Sequence, residues 1–294
     1  MKLYYWKAPN NKSNFGDDLN VWLWSKLIPD FLDEDEKVSF IGIGTLINDM
    51  LPNYTPMASK KVIFSSGVGY GKVPILDDSY KVYCVRGPIS AQKLKLPSEI
   101  AVTDGAILVR KFLNQTSKKL YKYSYMPHHK LASETWKTFC GDLNIGYIDP
   151  AWSTETVLNA IGQTEVLLTE AMHGAIVADA LRVPWIPMIS APSILKSKWE
   201  DWCLSMGLEY QPNYIEKLSY RHSNQKDILS PIRKVKHSLQ NWLKNKSVSE
   251  QFNQVIKNTH PCLSQDSKLE ELTTELEVRL ELFKQDYQSG IFNI

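Results

Sequence analysis

The sequence predicts an α/β protein made of two doubly wound, Rossmann-like domains followed by a helical tail. Three observations predict it. Short apolar runs of strand length alternate with segments of helical periodicity, the pattern of parallel sheets with right-handed crossovers. That alternation is interrupted at the polar stretch 114–119 and then resumes. At 294 residues the chain is long enough for two ordinary domains, each with its own core. The expected division is 1–115, 116–229 and a tail over 230–294.

In the first half we expect a strand at 3–6 and a helix at 17–27, with Leu19, Trp22, Leu23 and Leu27 on one face. A strand at 38–44 runs into a short helix at 45–51, and a strand at 61–65 ends in a glycine-containing loop. A strand at 81–85 precedes a helix at 88–94, because Pro88 suits the first helical position. The segments 101–104 and 106–109 complete this half. The second half gives strands at 119–126, 144–148, 165–169 and 185–189. Its helices fall at 133–143, 154–161, 172–181 and 196–206, the last closed by Gly207. From Ser230 onward the pattern is helices and polar linkers. Leu269, Leu272, Leu276, Leu280 and Phe283 form an amphipathic face that drifts from a strict heptad. That drift favours packing on the body over a coiled coil, with pairing to a second copy as a homodimer as the alternative.

Composition narrows the function classes. A formal net charge of +2 argues against nucleic-acid binding, which calls for a strong basic excess. Cys84, Cys140, Cys203 and Cys262 are scattered without metal-ligand spacing and read as reduced thiols. The N-terminal Met1–Lys7 run is too interrupted for a signal peptide, and no apolar run reaches membrane-spanning length. The expectation is a cytoplasmic protein, at most peripheral to a membrane, at its inner face where it reaches a lipid-linked substrate. Nine Trp and fourteen Tyr suit a sugar site, but aromatics in such numbers more often build the core.

Ligands of doubly wound folds lie beyond the carboxyl ends of the strands, so the residues just after each strand matter most. Asn14 and Asp17 follow the first strand; Asp17 or Asp18 either caps the helix or points into the cleft, beside a permissive Gly16. Gly42-Ile43-Gly44-Thr45 leads into the expected helix, whose amides favour an anion. It lacks the full dinucleotide fingerprint. Arg86-Gly87-Pro88 puts a guanidinium at the positive end of a helix dipole, which is unfavourable unless an anion neutralises both. The alternative is a salt bridge to a carboxylate such as Asp104. His128, His129 and Lys130 end the first strand of the second half and border the cleft. His173 falls in the first turn of a helix, where a bound phosphate or carboxylate favours its protonated, proton-donating form. Gly174 beside it leaves room for a ligand. No cluster has metal-ligand spacing.

Taken in order, these pieces resemble the polysaccharide pyruvyl transferase family. The matching segments are Asn14–Asn20, Gly42–Thr45, Val85–Pro88, Thr103–Ala106, Pro127–His129 and the run TEAMHGAIVADALRVPWIP from Thr169 to Pro187. Lys198-Trp199-Glu200-Asp201-Trp202 resembles the branch acting in bacterial exopolysaccharide synthesis. The resemblance extends from about Asn14 to about Pro212; the tail carries none. It implies a two-domain fold like that of the GT-B glycosyltransferases, phosphoenolpyruvate as donor substrate with no further cofactor or metal, and a sugar or lipid-linked oligosaccharide diol as acceptor. The family's donor-binding Arg and His map to Arg86 and His173. Many relatives also carry an Arg two residues before that His, where this chain has Ala171; either donor binding differs or another base substitutes, with His128, His129 and Lys130 as the candidates.

The implied mechanism has Arg86, with Gly87 and the amides of Gly44, Thr45 and Gly174, holding the donor. His173 protonates its methylene, and Asp17 or Asp104 accepts a hydroxyl proton. Asn14, His128, His129 and Lys130 contact donor or acceptor. Two rival readings stand beside it: a nucleotide-sugar glycosyltransferase, suggested by Glu170-Ala171-Met172 at a helix start, and a non-catalytic scaffold of the same family.

Overall fold

The computed structural model describes residues 1–7, 12–113, 118–218 and 231–292, and of 231–244 the backbone alone. Most of the expected linker at 114–119, and Ser230 at the start of the expected tail, lie outside the described residues.

Two parallel sheets organise the chain. The first contains β1 (Lys2–Tyr4), β2 (Val38–Ile41), β3 (Lys60–Phe64) and β4 (Tyr80–Cys84), in chain order across the sheet. The second contains β5 (Tyr121–Met126), β6 (Gly146–Tyr147), β7 (Thr164–Thr169), β8 (Trp185–Ile189) and β9 (Asn213–Tyr214), in the order β6-β5-β7-β8-β9. Every strand pairing is parallel. The order reverses at β5, as in a doubly wound sheet; among its named strands the first sheet has no such reversal.

Alternation along each strand sends side chains to opposite faces. In the first sheet Phe40, Val62, Phe64 and Tyr83 join the core with α1 (Phe15–Leu27), while Ile41 and Ile63 pack on the other face with α2 (Leu51–Tyr54) and α3 (Pro88–Leu94). In the second sheet Tyr125, Leu168, Ile186 and Met188 pack against α4 (Glu134–Asp142) and α8 (Pro231–Asn258). Met126, Leu167 and Trp185 face α5 (Thr154–Gly162), α6 (Met172–Ala180) and α7 (Lys196–Ser205). Buried residues of α1, of the 3-10 segment Gly105–Lys111, and of α5 and α6 form one continuous core that joins the two sheets.

Asn20 ties α1 to the first sheet. Its amide donates to Ile43 O (3.1 Å) just beyond β2, and its carbonyl accepts from Trp24 Nε1 (3.1 Å). Ser133 and Ser153 cap α4 and α5 with their hydroxyls. Gly207, at φ +69, ends α7 as the sequence requires.

The last helix, α9 (Asp266–Gln288), returns to the first sheet. Leu269, Leu272, Leu276, Leu280 and Phe283 are buried there, so the amphipathic face packs on the body. Phe283 meets Phe31, Phe40 and Tyr83, and Tyr83 Oη donates to Asp286 Oδ2 at 2.7 Å.

One expected helix is absent. Residues 45–50 form turns and an isolated bridge from Ile47 to Val68, and the helix begins only at Leu51. Gly44, at φ +122, redirects the chain, and its carbonyl accepts from Gly67 N (2.9 Å) and Ser66 Oγ (3.2 Å). Pairing between the two loops replaces the helical hydrogen bonds, so Gly44 and Thr45 do not form a helix N-terminus. The four cysteines are free. Among the described residues no helix is long and apolar enough to cross a membrane.

Candidate active site

A cavity of ≈ 360 Å³ opens between the carboxyl ends of the two sheets. The first sheet contributes Tyr4, Trp6, Asn14, Asp17, Gly44, Thr45, Tyr54 and Tyr70 to its wall; the second contributes His128, His129, Lys130, Ala171, His173, Ser193 and Lys198. This is where the topology of parallel sheets places ligands.

The entry to α1 sorts its two acids. Asp18 Oδ2 accepts from Asn14 N (3.0 Å) and from the Ser13 hydroxyl, closing the helix start. Asp17 is thereby left on the cavity wall, where Asn14 Nδ2 donates to its Oδ2 at 2.6 Å. Burial raises the Asp17 carboxyl above the usual range, against the lowering effects of the Asn14 hydrogen bond, His173 and Lys198.

His173 stands in the first turn of α6, and no side chain caps that helix. Ala171, Met172 and His173, at the positive end of that helix, line the cavity. His173 Nδ1 lies against Gly16, where a Cβ would collide with the ring; the missing side chain makes room for the imidazole. On the far side, Nε2 is 3.7 Å from Asp104 Oδ2. Both atoms are buried without a hydrogen-bond partner among the described residues. The other oxygen of Asp104 accepts from Ala106 N (3.0 Å), which orients the carboxylate. Asp104 is fully buried behind His173, away from the wall.

Arg86 occupies a different place from the one expected. It is fully buried: Nε donates to Asp201 Oδ2 (3.1 Å), Nη1 to Thr45 Oγ1 (2.8 Å) and Gly44 O (3.3 Å), and Nη2 to Val68 O (3.2 Å). Asp201 also accepts from Ser90 N (3.0 Å) and Ser90 Oγ (2.5 Å). The salt-bridge alternative thus takes Asp201, on α7, as partner instead of Asp104. Arg86 does not line the cavity; its Nη1 holds two wall residues, Thr45 and Gly44, in position. Gly87 packs against the Asp201 backbone and not on the wall. Gly174 also lies off the wall; a Cβ there would press on Met126 Sδ and Thr169 Oγ1, so its smallness serves the seating of α6 and not a ligand.

Expected contacts His128, His129 and Lys130 do line the cavity. The two imidazoles pack edge to face, with centroids 4.5 Å apart. Burial, and then nearby positive charge, lowers them to about 3 and about 4, so both are neutral at physiological pH. Neither supplies the cation expected in place of an arginine at Ala171. Glu170 is fully buried, and its carboxylate accepts from His128 N (3.1 Å) and Ser190 N (2.5 Å), pinning the ends of β5 and β8 together.

Several wall residues escape sequence reasoning. Trp6, Tyr54 and Tyr70 form a half-exposed aromatic rim, with Trp6 edge-on to Tyr54 at 5.7 Å. Lys198 is a half-buried cation in the first turn of α7. A signal for it existed: a lysine in a first turn opposes the helix dipole.

The chain belongs to the polysaccharide pyruvyl transferase family, whose sequence model matches residues 2–191. Over 219 residues it is 38% identical to the succinoglycan biosynthesis protein ExoV of Rhizobium meliloti (strain 1021), a match covering 73% of this chain and 68% of that protein.

Proposed function

We propose that the chain transfers the pyruvyl group of phosphoenolpyruvate to two hydroxyls of one sugar residue, forming a pyruvate ketal during exopolysaccharide synthesis. The observation that carries this reading is the position of His173. It stands at an uncapped helix start on the cavity wall, with a buried carboxylate behind it and lysines nearby. That arrangement suits an anionic substrate that must be protonated.

In the reaction proposed, protonated His173 gives its Nδ1 proton to the donor methylene, which becomes the methyl group. C2 becomes electrophilic, and the first sugar hydroxyl adds to it, losing its proton to a base. Asp17, on the wall and raised by burial, suits that base. The second hydroxyl then displaces phosphate. Of the two hydroxyl protons, one replaces the proton His173 gave up and the other leaves with phosphate. Asp104 Oδ2 faces Nε2 at 3.7 Å on the buried side of the ring, which leaves Nδ1 as the working nitrogen of this reading. The rim of Trp6, Tyr54 and Tyr70 suits the apolar face of an acceptor sugar, with the polar edge left toward the catalytic groups. The succinoglycan assignment of the relative supports an exopolysaccharide acceptor.

Glu170, in the segment that suggested the nucleotide-sugar reading, is fully buried off the cavity wall with both oxygens accepting backbone amides, which weighs against that reading. The test is phosphate release from phosphoenolpyruvate, with p-nitrophenyl hexosides bearing free diols as acceptors and mass spectrometry of the products. Ketal formation that is lost in His173→Ala supports the reading. Binding of UDP without binding of phosphoenolpyruvate overturns it.

A further inference from the structure

We propose that Lys198 is the cation that receives the phosphate group of the donor. The inference rests on the cavity being the phosphoenolpyruvate site, and it adds a residue to which neither the family match nor the relative assigns a role.

Lys198 lines the cavity from the first turn of α7 and has no hydrogen bond or ion pair among the described residues. Sequence spacing offers it a partner, because Asp201 lies three positions on, within reach on a helix face. The fold assigns that acid elsewhere. Asp201 Oδ2 takes Arg86 Nε at 3.1 Å, and Ser90 occupies both oxygens. The lysine is left without its natural counter-charge.

Its surroundings add positive potential. The N-terminus of α7 lies beneath it, and the uncapped N-terminus of α6 forms part of the same wall. The charged and titratable groups facing it are Arg86, Lys130, Asp17 and the imidazoles of His128 and His129. Of these only Asp17 is acidic, and its carboxylate is hydrogen-bonded to Asn14. A half-buried ammonium at the positive end of a helix, with two further cations close by, is unfavourable in the empty protein. A dianionic group in the cavity relieves all of these terms at once. A compact ammonium with rotatable donors suits a phosphate treated as a point charge. Burial, followed by Arg86 and Lys130, lowers the amine to about 8, against the raising effect of Asp17, which accords with a cation lacking its counter-ion.

The test is calorimetric titration of the full chain with phosphoenolpyruvate and with inorganic phosphate, comparing wild type, Lys198→Met and Lys198→Arg. Thermal melting serves as the folding control. Wild type is expected to bind phosphoenolpyruvate, with phosphate competing. Lys198→Met should weaken both on the order of 10- to 100-fold, the worth of a charge-assisted contact, and Lys198→Arg should recover most of the loss. Equal binding of phosphoenolpyruvate by wild type and a folded Lys198→Met overturns the role of Lys198 and leaves the donor reading intact. Phosphate binding that depends on Lys198, without phosphoenolpyruvate binding, upholds the anion site and overturns the donor reading. Wild type that binds neither overturns both.

Discussion

His173 Nε2 lies 3.7 Å from Asp104 Oδ2, and both atoms are buried without a hydrogen-bond partner among the described residues. The gap is about 0.8 Å longer than an ordinary hydrogen bond. In the mechanism proposed, the buried Asp104 carboxylate is the counter-charge that stabilises the imidazolium acid catalysis requires.

Asp104→Asn tests this pairing. The remaining carbonyl oxygen can still accept from Ala106 N, so the 3-10 segment should keep its start. The new amide, turned toward His173, would meet Nε2–H donor to donor and disfavour the imidazolium. We expect turnover to fall by about 10²–10⁴-fold with little change in donor affinity. Steady-state kinetics beside direct donor titration decides it. Turnover near wild type would remove Asp104 from the mechanism.

Asp201→Ala separates structure from chemistry at Arg86. Removing the acid leaves a fully buried guanidinium without its ion-pair partner, and strips Ser90 N and Ser90 Oγ of their acceptor. Breaking a buried pair from one side costs about 3–5 kcal/mol. Denaturant unfolding should report a loss of that size. A loss below about 1 kcal/mol would show that Arg86 is held by its other contacts, to Thr45 Oγ1, Gly44 O and Val68 O.

The contrast between Arg86 and His173 marks how far sequence reading reached. Strands and helices follow the alternation of apolar runs closely, because that pattern is local and each element buries the face its period predicts. The expected helix over 45–51 failed because Gly44 and Ile47 pair with the Ser66–Val68 loop, a tertiary competitor that no local window contains. Asn14, Asp17 and His173 were legible as wall residues because each lies between the carboxyl end of a strand and the first turn of the next helix. Arg86 was legible as an unusual charge, but its partner is 115 positions away on α7. Lys198 was named only within a segment of family resemblance, because its place on the cavity wall depends on how α7 packs and Asp201 is taken by the distant Arg86.

Phe283→Ala probes the return of α9 to the first sheet. The ring is fully buried among Phe31, Phe40 and Tyr83, with centroid separations of 5.8, 5.4 and 5.6 Å. Truncation leaves a cavity that these aromatic rings cannot easily fill, at a cost of about 3–5 kcal/mol. The measurement is the denaturant midpoint. A cost under about 1 kcal/mol would mean that α9 is dispensable to the body.

The pH dependence of donor binding follows from Lys198. Burial chiefly lowers its amine from the usual lysine value to about 8. Below that pH it is charged and can hold a phosphate; above it the amine is neutral and the attraction is lost. A phosphomonoester completes its second ionisation near pH 6, so the donor keeps one charge state across this range. Affinity for phosphoenolpyruvate should therefore be nearly level from about pH 7 to the lysine's value. Beyond it affinity should fall, approaching about tenfold per pH unit until the bound amine also titrates. Lys198→Arg keeps its charge throughout and should flatten that limb. Calorimetric affinities measured at several pH values for both proteins distinguish the outcomes. The same alkaline fall in the arginine variant would assign the titration to another group and leave Lys198 outside the donor site.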